Sequence, residues 1–541
     1  MRLRVVAFCL IFIAHLGVRA QSFRELLKPP LRSPKLSGPQ HLHDYLRDGK
    51  LQLSLHDSIL LTLENNSAIR VQESQVETAK FNLLHTYQRF DPTLQSVAIV
   101  NRLSSPGFSQ IQGTGNPGTF DQLSHQGQFV YSQTFSTGTN LQVQISGNRY
   151  STNSDLYFVN PEWNTSLNLQ FTQPIMKNRW RFENRAPVIV AQRNLEQSRA
   201  TFEAQLNDAL LRVVRQYWDV VRARGNLGVF RQSLDAAQAS YQRDKRALEL
   251  GALPPLDIYR SEAEVASRRV QVIQAEYALT QAMDALRFTI GANQDNYVDA
   301  LDLDLTENPE PMGELKVIDV GTALQEALQR RPEVEAARYA LEGDDVNVRL
   351  AQNHLQPDLS LTGFYQSNGL GGNLYSLVNP GQIVSRGGLG TSFNQLFGFS
   401  YPGYGATLTL TLPVRNRAAQ ADLGSALVIR HRDLYSQQQV REQITLDVDN
   451  SVHQLEIAKL TLEAGKTALD LAEKTLSADQ RKYELGSETI FFLLDSQTRV
   501  ATARANLLQA QIDYQNAVSA VDYATGSLLD AYQVQIAEIS K

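Results

Sequence analysis

Residues 234–291 recur as residues 469–526 without a gap, and a chain that doubles such a segment must fold as two like halves. At a constant offset of 235, Asp244 falls on Asp479, Arg246 on Arg481, Glu249-Leu250-Gly251 on Glu484-Leu485-Gly486, Ser261 on Ser496 and Gly291 on Gly526. After each Leu-Gly turn, apolar or small residues return at alternating steps of four and three, the spacing of helices packed along a seam. One copy reads Tyr259, Ala263, Ala266, Val270, Ile273, Tyr277; the other reads Leu494, Thr498, Ala501, Ala505, Leu508, Ile512. A second seam runs through Val272, Ala275, Leu279, Ala282, Leu286 and through Leu507, Ala510, Tyr514, Ala517, Val521. Two seams suit a helix with neighbours on two sides, although periodicity alone is equally compatible with a bundle helix of wide apolar face.

A second block is also doubled, at an offset of 265. Leu53 matches Ile318, Ile59 matches Leu324, Leu63 matches Leu328, Ile69 matches Val334, and Pro92-Thr93-Leu94 matches Pro357-Asp358-Leu359. Each half therefore has the order helix, strands, long helix, turn, long helix. The prolines at 92 and 357 close a helical pattern and open one of period two. Trp163, Thr165, Leu167, Leu169 and Phe171 alternate with Asn164, Ser166, Asn168, Gln170 and Thr172; Tyr404, Ala406, Leu408, Leu410 and Leu412 alternate with Gly405, Thr407, Thr409 and Thr411. Phe129–Ser136 and Leu141–Gly147 read as a hairpin. The Gly/Ser/Asn-rich stretch from Ser367 to Tyr404 reads as a long loop, and its Gly387-Gly388-Leu389-Gly390 lacks the strand-then-helix setting of a phosphate cradle. The helix expected from Asn184 to Leu250 would be on the order of 100 Å long at about 1.5 Å per residue.

Alternation of apolar with Thr/Asn/Gln side chains fits a barrel strand with lipid outside and water inside, and it fits a soluble sandwich equally well. The amino end separates the two. Arg2 and Arg4, an apolar run from Val5 to Leu16, and Ala20 make a secretory signal cut after Ala20, with the sole cysteine, Cys9, inside it. No later segment offers the roughly 20 apolar residues of a spanning helix. An exported chain of this kind meets a membrane through strands.

The divisions that follow are a signal peptide at 1–20, an extended Pro-rich arm at 21–52, helices at 53–92, barrel strands at 93–174, a helical hairpin at 175–291 and a linker at 292–317. The second half has helices at 318–356, strands and an outer loop at 357–413, a hairpin at 414–526 and a tail at 527–541. His41 and His43, in the arm with no third ligand nearby, read as solvated side chains.

Tyr483-Glu484-Leu485-Gly486, followed by Leu493-Leu494-Asp495-Ser496-Gln497 and Ala503-Arg504, resembles the "Y-x-x-G … L-D-A-Q … A-R" turn region of the TolC-like outer membrane efflux protein family. Gln173-Pro174-Ile175 resembles its "Q-P-L" junction, and the doubled order is the family's own. The resemblance implies a mainly α fold with a β-barrel part, in which a long α-helical coiled-coil tunnel joins a transmembrane β-barrel completed by trimerisation. Each subunit of the homotrimer would lend four strands to a 12-stranded barrel in outer membrane lipid. The tunnel would cross the periplasm of a Gram-negative bacterium to a periplasmic adaptor (membrane fusion) protein and an inner membrane pump, as the passive exit duct of a tripartite efflux or type I secretion system. By position, Asp257 and Asp495 would line the constriction at the tunnel tip. The turns Leu250-Gly251-Ala252-Leu253 and Leu485-Gly486-Ser487-Glu488 would dock the adaptor. Two departures bear on the gate: Phe492 stands where some members have an acid, and Glu488 where some have a basic latch. The hairpin at 129–147 makes the strand count four if it stands outside the wall and six if it joins it.

The net charge of −5, with no block of like charge, gives no nucleic-acid footprint. Catalytic and cofactor motifs are likewise missing: Gly465-Lys466-Thr467 ends like a P-loop, but Leu460 stands where its first glycine belongs, and no His-Glu-x-x-His run occurs. Asp447 and Asp449, two apart on a helix, face apart. These features point to a duct rather than an enzyme. Carboxylates at Glu249, Asp257, Glu484, Glu488 and Asp495, repeated in three copies, would favour cations; for Glu249 and Glu484 solvated helix-end acids read the same way. The competing reading is a soluble periplasmic coiled-coil scaffold or adaptor, against which stand the two hairpins and the Thr/Asn-faced strands.

Overall fold

The computed structural model describes residues 41–106, 118–154, 157–250, 255–311, 313–376, 378–379, 382–485 and 487–534, with the side chains of Pro255 and Asp257 outside the description. In chain order the elements are β1 (Leu46–Arg47), β2 (Lys50–Leu53), α1 (Leu55–Asn65), α2 (Ser67–Thr86), β3 (Thr93–Pro106), β4 (Thr119–Thr134), β5 (Asn140–Thr152) and β6 (Val159–Pro174). Then come α3 (Arg181–Glu249), α4 (Pro255–Thr289), α5 (Asn296–Asp299), β7 (Asp302–Leu305), α6 (Val320–Arg330), α7 (Pro332–His354), β8 (Asp358–Tyr375) and β9 (Ile383–Ser385). The chain continues with α8 (Leu389–Phe397), β10 (Tyr401–Thr411), α9 (Arg417–Glu484), α10 (Ile490–Ala524) and α11 (Leu528–Ala531). The contacts divide it into a strand unit, with Phe81–Gln192 and Gly343–Arg430, and a helical unit, with Lys35–Lys80, Arg193–Glu342 and His431–Lys541.

In the strand unit the order is β10-β8-β6-β5-β4-β3, antiparallel throughout, with β9 paired to the far end of β8. Of the two counts left open by the sequence, four and six, the sheet has six along its main path. The hairpin β4–β5, turned at residues 135–139, bonds β3 on one side and β6 on the other. It therefore lies within the sheet, paired along both edges. Opposed residues in antiparallel pairs share a face, so the register aligns Phe129, Ile145, Leu167 and Ser367 on one side and Gln128, Ser146, Ser166 and Asn368 on the other. Two rungs nearer the helices, Leu141, Phe171, Gly363 and Ala406 continue the first face and Asn140, Thr172, Thr362 and Thr407 the second. Along β5, β6 and β10 the first face is largely apolar, with Arg149 and, on β4, His125 among its residues, and the second is an Asn/Gln/Ser/Thr ladder with cross-strand bonds such as Ser146 Oγ to Ser166 Oγ at 2.6 Å, joined on the β3–β4 side by Val97, Ile99 and Val130.

The loop expected from Ser367 to Tyr404 is also corrected. Strand β8 runs on to Tyr375, and Gly387-Gly388 does sit between a strand, β9, and a helix, α8. The glycines permit close approach rather than holding a phosphate: a Cβ on Gly369 would lie 2.0 Å from Ser392 O, and one on Gly371 2.1 Å from Gly388 O.

The helical unit shows why the doubled blocks are helical. Ser54 caps α1 in a reciprocal box with Asp57, and Asp319, at the same place in the repeat, caps α6 by accepting from Thr322 N–H. Gly291 and Gly526 follow α4 and α10 at φ of 76° and 75°, left-handed positions that favour glycine. Val272, Ala275 and Leu286, and likewise Ala510, Tyr514, Ala517 and Val521, are buried, so the second seam faces inward in both copies. The first seam divides: Ala501 and Ile512 are buried, whereas Tyr259, Val270, Ile273 and Tyr277 stand exposed.

Of the signal peptide at 1–20 and the extended arm at 21–52, residues up to 40 lie outside the described residues, and the structure corrects the arm over 41–52. Leu42–Tyr45 form a 3-10 turn, and β1 and β2 join a small sheet in which β2 runs parallel to β7 of the linker. Leu42, Leu51 and Leu53 are buried with Leu210, Val214, Tyr217, Leu286 and Ile290, so apolar side chains that looked sparse in sequence form one side of a core. His41 Nδ1 lies 2.9 Å from Glu64 and His43 Nε2 2.9 Å from Asp295, so both have carboxylate partners. The linker packs at mid-helix: Tyr217 donates to Leu53 O at 3.3 Å and accepts from Glu307 N–H at 3.2 Å, and Lys316 N–H donates to Tyr514 at 3.0 Å.

Candidate functional site

The helix ends at 244–261 and 479–496 form the candidate site, and the repeat builds it twice. In the first hairpin Ser261 donates to the Asp244 carboxylate across the turn, both side chains buried. In the second, Ser496 donates to Asp479 in the same way. Each aspartate thereby ties the outgoing helix to the returning one, a charge-assisted bond stronger than a neutral one. The Asp479 carboxyl is held below the usual carboxylate range, chiefly by the Ser496 hydroxyl and further by the Lys482 ammonium, against a smaller opposing effect of burial. Sequence reasoning missed these four residues, although Asp and Ser at one spacing in both copies were the signal.

Links between the two hairpins come from α4, α9 and α10. Tyr483 donates to the second oxygen of Asp244 at 3.2 Å. Arg268, buried, bonds Glu264 at 2.7 Å and Gln271 at 3.0 Å and reaches Thr498 of the other hairpin. Further along, Arg504 bridges Glu473 at 2.8 Å and Gln232 at 3.3 Å.

Among the residues expected at a constriction, Asp495 sits in α10 paired with Arg499 at 2.7 Å, so its charge is compensated within its own helix. Asp257 lies in the first turn of α4, and its side chain is outside the described residues. Gly251, Ala252 and Leu253 of the first docking turn, and Gly486 of the second, also lie outside them. Leu250 and Leu485 are 84% and 78% exposed, and Leu256, Phe491 and Phe492 are exposed nearby. Ser487 closes the turn by donating to Lys482 O at 3.0 Å. Glu488 does not project from this surface: its side chain is 17% exposed and lies 3.5 Å from Lys482. No group of three or more His, Cys, Asp or Glu among the described residues is placed to hold a metal.

No helix among the described residues is long and apolar enough to cross a membrane. A long-stranded antiparallel sheet continued by two helical hairpins, each with one helix of 68–69 residues and one of 35, defines the architecture. The chain belongs to the outer membrane efflux protein family, whose model matches residues 137–292 and 323–527. The outer membrane protein TolC of Vibrio cholerae is 25% identical over 344 residues, covering 62% of this chain and 72% of that protein. The cobalt-zinc-cadmium resistance protein CzcC of Cupriavidus metallidurans is 24% identical over 346 residues, covering 63% and 73%. Among solved structures, the Campylobacter jejuni CmeC outer membrane channel superposes with a TM-score of 0.60 at 15% identity, covering 93% of this chain and 91% of that one. The chain is an outer membrane efflux channel protein.

Proposed function

We propose that three copies close into one duct through the outer membrane, which an inner membrane pump energises through a periplasmic adaptor. The observation that carries this reading is the pair of open edges on a two-faced sheet: among the described residues β3 bonds only β4, and along the main sheet β10 bonds only β8. A lipid-exposed edge leaves backbone donors and acceptors unpaired at several kcal/mol each, so a wall in a membrane must close on itself. Three sheets of six strands close as eighteen, with the Asn/Gln/Ser/Thr ladder toward water and the apolar face toward lipid.

The helices support the same stoichiometry. The exposed Tyr259, Val270, Ile273, Tyr277 and Phe288 on α4, and Tyr435, Leu446, Ile457, Leu460 and Leu471 on α9, are apolar stripes without a partner in one chain. Tyr435, Leu446 and Ile457 recur every eleven residues, the period of a right-handed superhelix, and neighbouring copies cover such stripes. At the tip, the exposed Leu250 and Leu485 offer the adaptor an apolar hold, and Asp257 and Asp495 line the opening. Export follows from cleavage of a signal peptide after Ala20. The duct is passive and serves a tripartite efflux or type I secretion system.

The test is the purified outer membrane form. Sodium dodecyl sulfate-resistant trimers that conduct ions in planar bilayers are expected. A detergent-solubilised monomer with no conductance, or a chain released with the soluble periplasmic fraction, overturns the reading.

A further inference from the structure

The apolar face of the sheet has a gap, and α8 fills it. Along β6 the apolar run Phe171, Leu169, Leu167 gives way to Thr165, and along β8 the same face carries Ser367, Gly369 and Gly371. These small and hydroxylated residues would place a polar hollow beside the apolar run, on a face that across β5 and β4 also carries Arg149 and His125. Instead α8 lies in it, packed on β6 and β8. Thr165 and Ser392 share a hydroxyl–hydroxyl bond at 2.7 Å, Ser392 also donates to Gly369 O at 2.8 Å, and Ser367 donates to Leu396 O at 2.8 Å, so the hydroxyls are satisfied within the protein. Leu396 is fully buried beneath the helix.

The other side of α8 is apolar. Leu389, Phe393 and Phe397 recur every four residues, one above the other; the two phenylalanine rings stack at 5.9 Å, and Leu389 and Phe397 are exposed. Phe399, just beyond the helix, continues this surface onto Tyr365 of the same sheet face at 6.0 Å. A helix that covers polar atoms and turns phenylalanines outward restores the apolar face it sits on.

We infer that α8 is a lipid-contacting collar, laid on the outer wall at the end of the sheet remote from the long helices and seated among the acyl chains and headgroups of the outer leaflet. The inference rests on the proposed membrane placement of the sheet, and it commits to lipid rather than a second copy. Continuity with Phe171, Leu167 and Trp163 on one face makes that choice, because whatever covers those residues in a membrane also meets α8.

Single cysteines with nitroxide labels, in the full-length protein purified as its native assembly and reconstituted in vesicles, test it. Phe397→Cys and Leu389→Cys report on α8, Phe171→Cys on the apolar face and Asn168→Cys on the polar ladder; the unsubstituted chain, whose sole cysteine leaves with the signal peptide, gives the background. Labels at 389 and 397 are expected to lose access to a water-soluble nickel chelate and gain collisions with oxygen, to the level at 171. Labels at 389 and 397 that see water while 171 sees lipid overturn the collar and leave the membrane placement standing. Labels shielded from both reagents show a protein neighbour and overturn it as well. Water at 171 overturns both readings. Gly369→Val supplies a second arm: its side chain would collide with Ser392 O and lift α8, so the label at 397 should regain mobility while that at 171 is unchanged, and an unmoved label at 397 counts against the seating.

Discussion

Replacing Asp244 by Ala removes one acceptor from two donors at once, the Ser261 hydroxyl across the turn and the Tyr483 phenol of the other hairpin. The carboxylate is 2% exposed, so water does not replace it in the closed state. A hydrogen bond to a charged partner contributes about 1.5–3 kcal/mol, and the Ser261 hydroxyl can rotate onto a backbone carbonyl and recover part of its loss. A net cost of about 3 kcal/mol follows, which is on the order of 100-fold in the equilibrium for local opening. Amide hydrogen exchange of the native assembly reads this directly: segments 241–249 and 258–265 should exchange faster by that factor, with the buried core around Tyr217 unchanged. Tyr483→Phe removes only the link between hairpins and should show a smaller effect, accompanied by higher single-channel conductance as the two hairpins separate. Exchange in 241–249 that is unaltered by Asp244→Ala refutes the claim that these bonds hold the helix ends together.

Further outcomes follow from other parts of the helical unit. Arg331, its side chain 6% exposed, bonds Glu333 at 2.6 Å and Asp447 at 2.9 Å; Arg331→Ala takes the cation from both carboxylates and leaves Asp447 its bond from Gln443, and since each is about 30% exposed the cost is about 2–4 kcal/mol, read as lost exchange protection in α6 and α7. Gly291→Ala and Gly526→Ala each force an L side chain into left-handed backbone at about 1–2 kcal/mol, lowering the melting temperature. Gly291→Ala should be the worse, since its Cβ would lie 2.7 Å from Asn65 Cβ, whereas that of Gly526→Ala would lie 3.1 Å from Arg330 Cβ. Because the Asp479 carboxyl titrates below its unfolded value, its stabilisation is complete above the ordinary carboxylate range and is lost as pH falls through the folded pKa. A nitroxide at Leu485→Cys should therefore gain mobility on acidification, and Ser496→Ala, which removes the chief cause of the shift, should weaken that dependence.

Period and repetition were legible because they are one-dimensional. The two helical hairpins, the strand alternation and the buried second seam could all be counted off the chain. The same pattern did not say how each copy is used: Ile512 is buried and Tyr277, at the matching place in the repeat, is exposed, because neighbours differ where sequence spacing does not. Nor could alternation place β4 and β5, since a hairpin inside a wall and one standing off it have the same period. Asp244 and Ser261 were unremarkable as polar residues on helices until the turn brought them together. The stretch from Ser367 to Tyr404 looked unstructured from its glycines, whereas Gly369 and Gly371 are small because a helix backbone lies on them. Masking of small residues by composition is the general cause of that misreading.

If three copies close as proposed, six strands per chain set the calibre of the mouth. With neighbouring strands about 4.8 Å apart and tilted by about 40°, eighteen enclose a circle of roughly 18 Å radius at the backbone, against about 12 Å for twelve. Cross-section then roughly doubles. Resistances in series are governed by the narrowest stretch, so in the proposed duct a wider barrel would leave the limiting resistance to the helical hairpins, which Asp244, Tyr483 and Arg268 cross-brace. In such a conduit the extra strands leave sieving to the helices, and throughput answers to side chains far from the bilayer.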